Sequence, residues 1–153
     1  MDRRELADDF GRPFWVIVDD EDASQPIFSV RREQFPIGHV MIRAYYSTWH
    51  ISDLVIERET SERLWLGPLP LPRTKKYENR DRGIGSKVMR LVIEEAAKRH
   101  IVQITGDIVP EKPGEAKRLK QFYERLGFRI GHPQPHAPEG AVATFVMDVE
   151  AVR

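Results

Sequence analysis

The chain contains no cysteine. Disulfides, thiolate metal sites and a cysteine nucleophile are thereby excluded. It also lacks net charge, since 24 Lys+Arg balance 24 Asp+Glu over 153 residues. A nucleic-acid-binding domain ordinarily carries a basic excess, so nucleic acid is not an expected partner. No apolar run approaches membrane-spanning length, and residues 1–9 are too charged to read as a secretory signal. A soluble cytoplasmic protein with no membrane partner is the expectation. His132 and His136 lie in a Pro-rich loop without acids at ligand spacing, so no metal site is expected there.

What remains is globular in composition, 41% hydrophobic and 31% charged. Its length suits one domain spanning residues 1–153. Residues 2–10 read as a short helix or a frayed terminus. Residues 14–18 are apolar and β-branched and end in Asp19-Asp20-Glu21-Asp22, which predicts a strand and an acidic turn. That turn lacks the spacing of a calcium loop. Residues 27–31, 38–45 and 51–58 read as further strands, forming an antiparallel meander. Residues 64–71 are apolar but carry Pro68, Pro70 and Pro72, so they predict a splayed or edge strand. Residues 73–79 read as a basic loop.

The stretch 80–85, Arg-Asp-Arg-Gly-Ile-Gly, precedes an amphipathic run. Residues 84–100 place Ile84, Val88, Leu91, Val92 and Ala96 on one helical face. Two glycines one residue apart leave amides bare of side chains. The helix behind them adds unpaired N–H groups and the positive end of its dipole, which together make a phosphate seat. Val88 stands where a Rossmann turn needs its third glycine, and Ser86-Lys87 reverses the order a P-loop needs, so neither of those motifs is present. Residues 101–105 predict a strand, completing a βαβ unit whose strands, 64–71 and 101–105, should be parallel. Residues 114–126 predict a second helix with Leu119, Phe122, Tyr123 and Leu126 on its buried face and Gly127 at its C-cap. Residues 128–130 and 144–150 should pair antiparallel at the end.

Arg80, Gly83 and Gly85 fill an Arg/Gln-x-x-Gly-x-Gly/Ala pattern. About forty residues later comes Leu119-Lys120-Gln121-Phe122-Tyr123-Glu124-Arg125-Leu126-Gly127-Phe128. With one helix and one strand between them, the two motifs resemble the GNAT superfamily of acyl-CoA-dependent N-acyltransferases. The resemblance implies an α+β fold of three layers. Its central sheet is mixed and mostly antiparallel, with a splayed parallel strand pair and flanking helices. It implies an N-acetyltransferase moving an acetyl group from acetyl-CoA to a primary amine, of a small molecule or a protein, by direct attack in a ternary complex. Acetyl-CoA would be a cosubstrate and no metal would be needed.

On this resemblance Arg80, Asp81, Arg82, Gly83, Ile84, Gly85 and Ser86 hold the pyrophosphate, with Lys87 adding positive charge nearby. Leu69 and Leu71 offer main-chain groups to the pantetheine arm, and one of them supplies the carbonyl donor. Arg118 reaches a phosphate, and Tyr123 protonates the leaving thiolate.

The chain departs from the pattern in three places. Ala116 stands where many members have an asparagine that binds the cofactor or a water. No acid lies in 64–71, so the general base is unassigned, with Glu57, Glu59, Glu62 and His50 as neighbours only. Residues 19–26 are too short for the two helices that usually line the acceptor site, which leaves that site open or closed by a partner subunit such as a second copy in a homodimer. A non-catalytic acyl-CoA-binding sensor or scaffold of the same fold is the alternative, and a domain binding another nucleotide is the third reading.

Overall fold

A computed structural model describes residues 2–33, 35–57, 59–65, 72–78 and 83–149 of the chain. Among these described residues, ten strands and two helices follow in the order β1 (Asp2–Ala7), β2 (Pro13–Asp19), β3 (Ile27–Arg32), β4 (Phe35–Tyr45), β5 (Thr48–Ile56), β6 (Glu59–Trp65), β7 (Pro72–Glu78), α1 (Ile84–Lys98), β8 (Gln103–Ile108), α2 (Glu115–Arg125), β9 (Arg129–Gly131) and β10 (Ala143–Asp148). Eight strands form one mixed sheet in the order β1-β2-β3-β4-β5-β8-β10-β9, and β6-β7 form a separate ribbon. The sheet is antiparallel except for β5 and β8.

The core follows from alternation. Val16 pairs with Val30, Phe28 with Val40, Ile42 with Ile51, Trp49 with Ile104, and Phe145 with Gly106. Paired residues share a face, so these side chains line one side of the whole sheet, where all but Gly106 belong to the buried apolar core. Both helices cover that side. The stripe Ile84, Val88, Leu91, Val92 and Ala96 of α1 is buried, and Tyr123 of α2 stacks on Phe145 with ring centroids 3.8 Å apart. Arg4 of β1 reaches α1 through Glu95, at 3.0 Å. Helix α2 ends in a Schellman motif: Phe128 N–H donates to Tyr123 C=O, Gly127 N–H donates to Glu124 C=O, and Gly127 takes φ +99°.

The opposite side carries Trp15, Ile17, Ser29, His39, Met41, His50, Thr105, Asp107 and Val146, all at least partly exposed. No helix among the described residues packs on it. The short β2–β3 connection anticipates this, because residues 20–26 hold turns and no helix.

Several expectations need correction. Residues 2–7 are strand β1, whose register with β2 pairs Arg4 with Val16 and Leu6 with Phe14; this edge pairing overrides the polar sequence. Within residues 73–79, expected as a loop, 73–78 belong to strand β7, since a hairpin partner supplies hydrogen bonds that a lone basic segment lacks. Residues 48–50, expected to connect two strands, begin β5. The parallel partner of β8 is β5, whereas β6 pairs antiparallel with β7. The β6-β7 ribbon is thus inserted between the parallel strand and the glycine turn. Residues 66–71, the rest of the expected splayed strand, lie outside the described residues.

Candidate functional site

Strands β5 and β8 pair only from Thr48↔Gln103 to Ile51↔Gly106. Beyond that point β5 follows β4 to Ile56, while β8 follows β10 to Ile108. The strands part at a bulge: the β4–β5 register shifts between Met41 and Ile42, leaving Ser52 as the extra residue. A bulge bends its strand and re-aims the side chains beyond it. Glu57 N–H donates to Ile37 C=O at 2.6 Å. Amide direction alternates along a strand, so Val55 and Asp53 also face β4. Leu54 and Ile56 therefore turn N–H and C=O toward the open edge.

A cavity of about 690 Å³ fills this opening. Its walls are Leu54–Ile56 on β5, Val109 beyond β8, Gly83–Ser86 at the start of α1, Asp9 from the β1–β2 turn, and the α2 face that includes Arg118, Phe122 and Arg125. The volume lies within the range typical of small-molecule sites, ~300–1,000 Å³. Gly83 takes φ +72°, a left-handed conformation that side chains resist, and caps α1 with no side-chain hydrogen bond. The amides of Ile84, Gly85 and Ser86 have no hydrogen-bond partner among the described residues, whereas Lys87 N–H donates to Gly83 C=O at 3.1 Å. A Cβ on Gly85 would make only an ordinary contact with Phe122, at 3.6 Å.

The fold thus brings Gly83, Ile84, Gly85, Ser86 and Arg118 to one cavity. Arg118 is tied there to Glu115 at 3.2 Å. Leu69, Leu71, Arg80, Asp81 and Arg82 lie outside the described residues. The expected part of Leu69 and Leu71 in the pantetheine edge depends on a splay at 64–71, whereas the strand that parts from β8 is β5.

Tyr123 sits behind the cavity wall. Its ring stacks on Phe145 and meets Phe122 and Phe128 edge-on. Its hydroxyl has no hydrogen-bond partner among the described residues. Burial, and then the negative charge of Asp53, push the phenol well above the ordinary tyrosine range.

Two acid–histidine pairs were not recognised from the sequence. Asp53, just past the bulge, lies with its Oδ2 2.9 Å from His39 Nε2. His50 lies with Nδ1 3.0 Å from Thr105 Oγ1 and Nε2 3.6 Å from Asp107 Oδ2. By register, all four side chains lie on the helix-free side of the sheet. The signal that could have found Asp53 was an acid within the β5 run, once that run rather than 64–71 is taken as the parallel strand. Among the described residues no group of three or more His, Asp or Glu is placed to hold a metal ion, and no helix is long and apolar enough to cross a membrane.

By sequence the chain matches no family model and no curated protein. By structure it is similar to GNAT-family acetyltransferases. One, from Elizabethkingia anophelis with acetyl-CoA bound, gives a TM-score of 0.55 at 14% identity over 82% of this chain and 77% of the other. PaiA N-acetyltransferase from Thermoplasma acidophilum, in complex with coenzyme A, gives 0.54 at 11% identity over 80% and 59%. The ribosomal-protein-S18-alanine N-acetyltransferase of Escherichia coli gives 0.54 at 13% identity over 84% and 70%. The mixed sheet, with its parallel pair and two helices, matches these neighbours, and the chain has the fold of the GNAT acyl-CoA N-acyltransferase superfamily.

Proposed function

We propose that the chain is a single-domain, cytoplasmic N-acetyltransferase that moves an acetyl group from acetyl-CoA to a primary amine. The observation that carries this is the cavity itself. Free amides at a helix N-terminus, an open strand edge and two arginines converge on one opening between parted strands. Acetyl-CoA would bring a polyanion at one end and a thioester carbonyl at the other. The Ile84–Ser86 amides and the positive end of α1 suit the pyrophosphate. Arg118 and Arg125 add charge that several weak contacts need in order to hold a polyanion. The open edge at Leu54 and Ile56 can pair with the amides of the pantetheine arm as an added strand would. An N–H of the same edge, near the bulge, can donate to the carbonyl oxygen as negative charge builds there.

Direct attack needs a proton removed from the amine and one given to the departing sulfur. We assign the first to Asp53, paired with His39 at 2.9 Å. We assign the second to Tyr123, whose phenol is protonated at neutral pH. The C–N bond forms as the C–S bond breaks, and the two proton transfers leave an amide and a thiol. No enzyme nucleophile enters this scheme. The acceptor reaches the opening from the sheet side that no described helix covers.

The test is a thermal-shift titration with acetyl-CoA on wild type and Gly85→Asp. An acid is compatible with a first helical turn, so this variant should fold, yet it places a negative charge in the cradle. Saturating ligand at 100 times Kd should stabilise wild type by about 2.7 kcal/mol, which is a rise of roughly 5–10 °C for a chain this size. The variant should shift far less. No shift in wild type at millimolar ligand removes the cofactor reading. A shift without transfer to any amine in an acceptor screen favours a non-catalytic acyl-CoA sensor.

A further inference from the structure

The β1–β2 turn reaches the proposed phosphate seat before any ligand does. Asp8 builds this turn: its Oδ1 accepts from the N–H groups of Phe10 and Arg12, each at 2.9 Å, and its Oδ2 accepts from Arg32 at 2.9 Å. Gly11, at φ +79°, closes it. The next side chain, Asp9, points at the start of α1. Its Oδ1 is 2.9 Å from Lys87 Nζ. A Cβ built on Gly83 would lie 2.5 Å from either carboxylate oxygen, so the carboxylate rests against the helix cap itself. Helix α1 has no acid in its own first turn and no side-chain cap. The negative charge that its dipole favours comes from another element. Asp9 also lines the same cavity as Gly83–Ser86.

We infer that Asp9 competes with the phosphates of the cosubstrate for the α1 N-terminus, and that Lys87 exchanges from Asp9 to phosphate when acetyl-CoA binds. This rests on the function proposed above. The two anions cannot share the seat without repulsion. The exchange is easy because the pair is held loosely: Asp9 and Lys87 side chains are 59% and 30% exposed, and ion pairs at such sites are weak. Asp9 thus sets cofactor affinity. It keeps the seat charge-balanced when empty and lowers the affinity of whatever polyanion enters.

The experiment measures Kd by calorimetry for acetyl-CoA and for S-acetylpantetheine, which has the thioester arm but no phosphate. Proteins are wild type, Asp9→Asn, Lys87→Gln and the double variant, with Asp9→Ala as a second removal of the charge. Thermal unfolding confirms that each is folded. Asp9→Asn should bind acetyl-CoA about three- to tenfold more tightly and leave S-acetylpantetheine unchanged. Lys87→Gln should weaken acetyl-CoA binding more in the Asp9→Asn background than in wild type, because there the lysine is wholly available to phosphate. Unchanged or weaker acetyl-CoA binding in both Asp9 variants would make Asp9 a structural tie between the turn and α1, and would overturn the inference while leaving the function intact. Equal tightening of both ligands would also overturn it, since a phosphate-free ligand has no charge to repel. If wild type binds neither ligand, the function and this inference fall together.

Discussion

Replacing Gly106 with alanine should damage both the fold and the chemistry, through one ring. Gly106 lies at the last rung of the β5–β8 pairing and faces Phe145 across the β8–β10 ladder. A Cβ there would lie 2.6 and 2.7 Å from Cε1 and Cε2 of Phe145 and closer still to the ring tip. Ordinary contact requires about 3.4 Å or more, so the ring must retreat by roughly 1 Å. It cannot retreat freely, because Tyr123 stacks on it with centroids 3.8 Å apart and planes inclined by 10°. Phe128 closes the side at 5.1 Å. Overpacking of this kind costs about 1–3 kcal/mol. With roughly 2–4 °C per kcal/mol for a chain of this length, the melting temperature should fall by about 2–12 °C. The displacement passes to Tyr123. A misplacement of about 1 Å in a reacting group can cost on the order of a hundredfold in rate. Differential scanning fluorimetry and an acetyl-transfer assay at a temperature where the variant is folded would read the two effects. An alanine variant with unchanged melting temperature would refute the packing of Phe145 on Gly106. A destabilised variant with unchanged turnover would refute the coupling from Phe145 through Tyr123 to catalysis.

Tyr123→Phe keeps the stack and removes only the hydroxyl, so stability should change by no more than about 1 kcal/mol. Turnover should fall by roughly 10²–10⁴ with acetyl-CoA affinity unchanged, and undiminished turnover would reduce Tyr123 to a packing residue. Asp53→Asn and His39→Gln should each lower turnover and alter the pH–rate profile on its acid side while leaving acetyl-CoA affinity alone; a wild-type profile in both would exclude the pair as base. Asp8→Ala removes the carboxylate of a buried ion pair, which also accepts from two backbone N–H groups, and should cost about 3–5 kcal/mol by thermal or urea unfolding. Burial raises the Asp8 pKa, but the hydrogen bonds from Arg32, Arg12 and Phe10 and the Arg32 charge outweigh it, leaving it below 3.8. A depressed folded pKa stabilises above the unfolded value and loses that contribution as pH falls through the folded one. Wild-type stability should therefore drop with acid below about pH 4, and the drop should be shallower in Asp8→Asn.

The helices and their buried faces were legible because a 3.6-residue period writes itself into apolar spacing. Ile84, Val88, Leu91, Val92 and Ala96 needed no partner to be recognised. The same holds for the Gly127 C-cap, where only a left-handed residue satisfies the last carbonyls. Strands β2 to β5 showed as β-branched runs. Strand β1 did not, because Asp-Arg-Arg-Glu owes its extended form to the ladder with β2, and β7 did not, because its partner β6 supplies the pairing. The misreading of residues 64–71 came from order along the chain. The strand nearest the glycine turn in sequence is an inserted ribbon, and proximity in sequence does not establish which strand lies beside β8.

The sequence by itself determined the glycine turn that opens α1 and the place of Tyr123 on the buried face of α2, because both are local. A glycine turn opening a helix exposes amides wherever it stands, and Tyr123 is placed by its own helix and cap. Tertiary structure decided everything that joins separate strands. The opening exists because β5 and β8 diverge after Ile51 and Gly106, and the bulge at Ser52 sits at that divergence. The pairing of Asp53 with His39, and of Asp9 with Lys87, spans 14 and 78 residues of chain. Side chains so far apart meet only through sheet register and helix docking, which local periodicity does not encode.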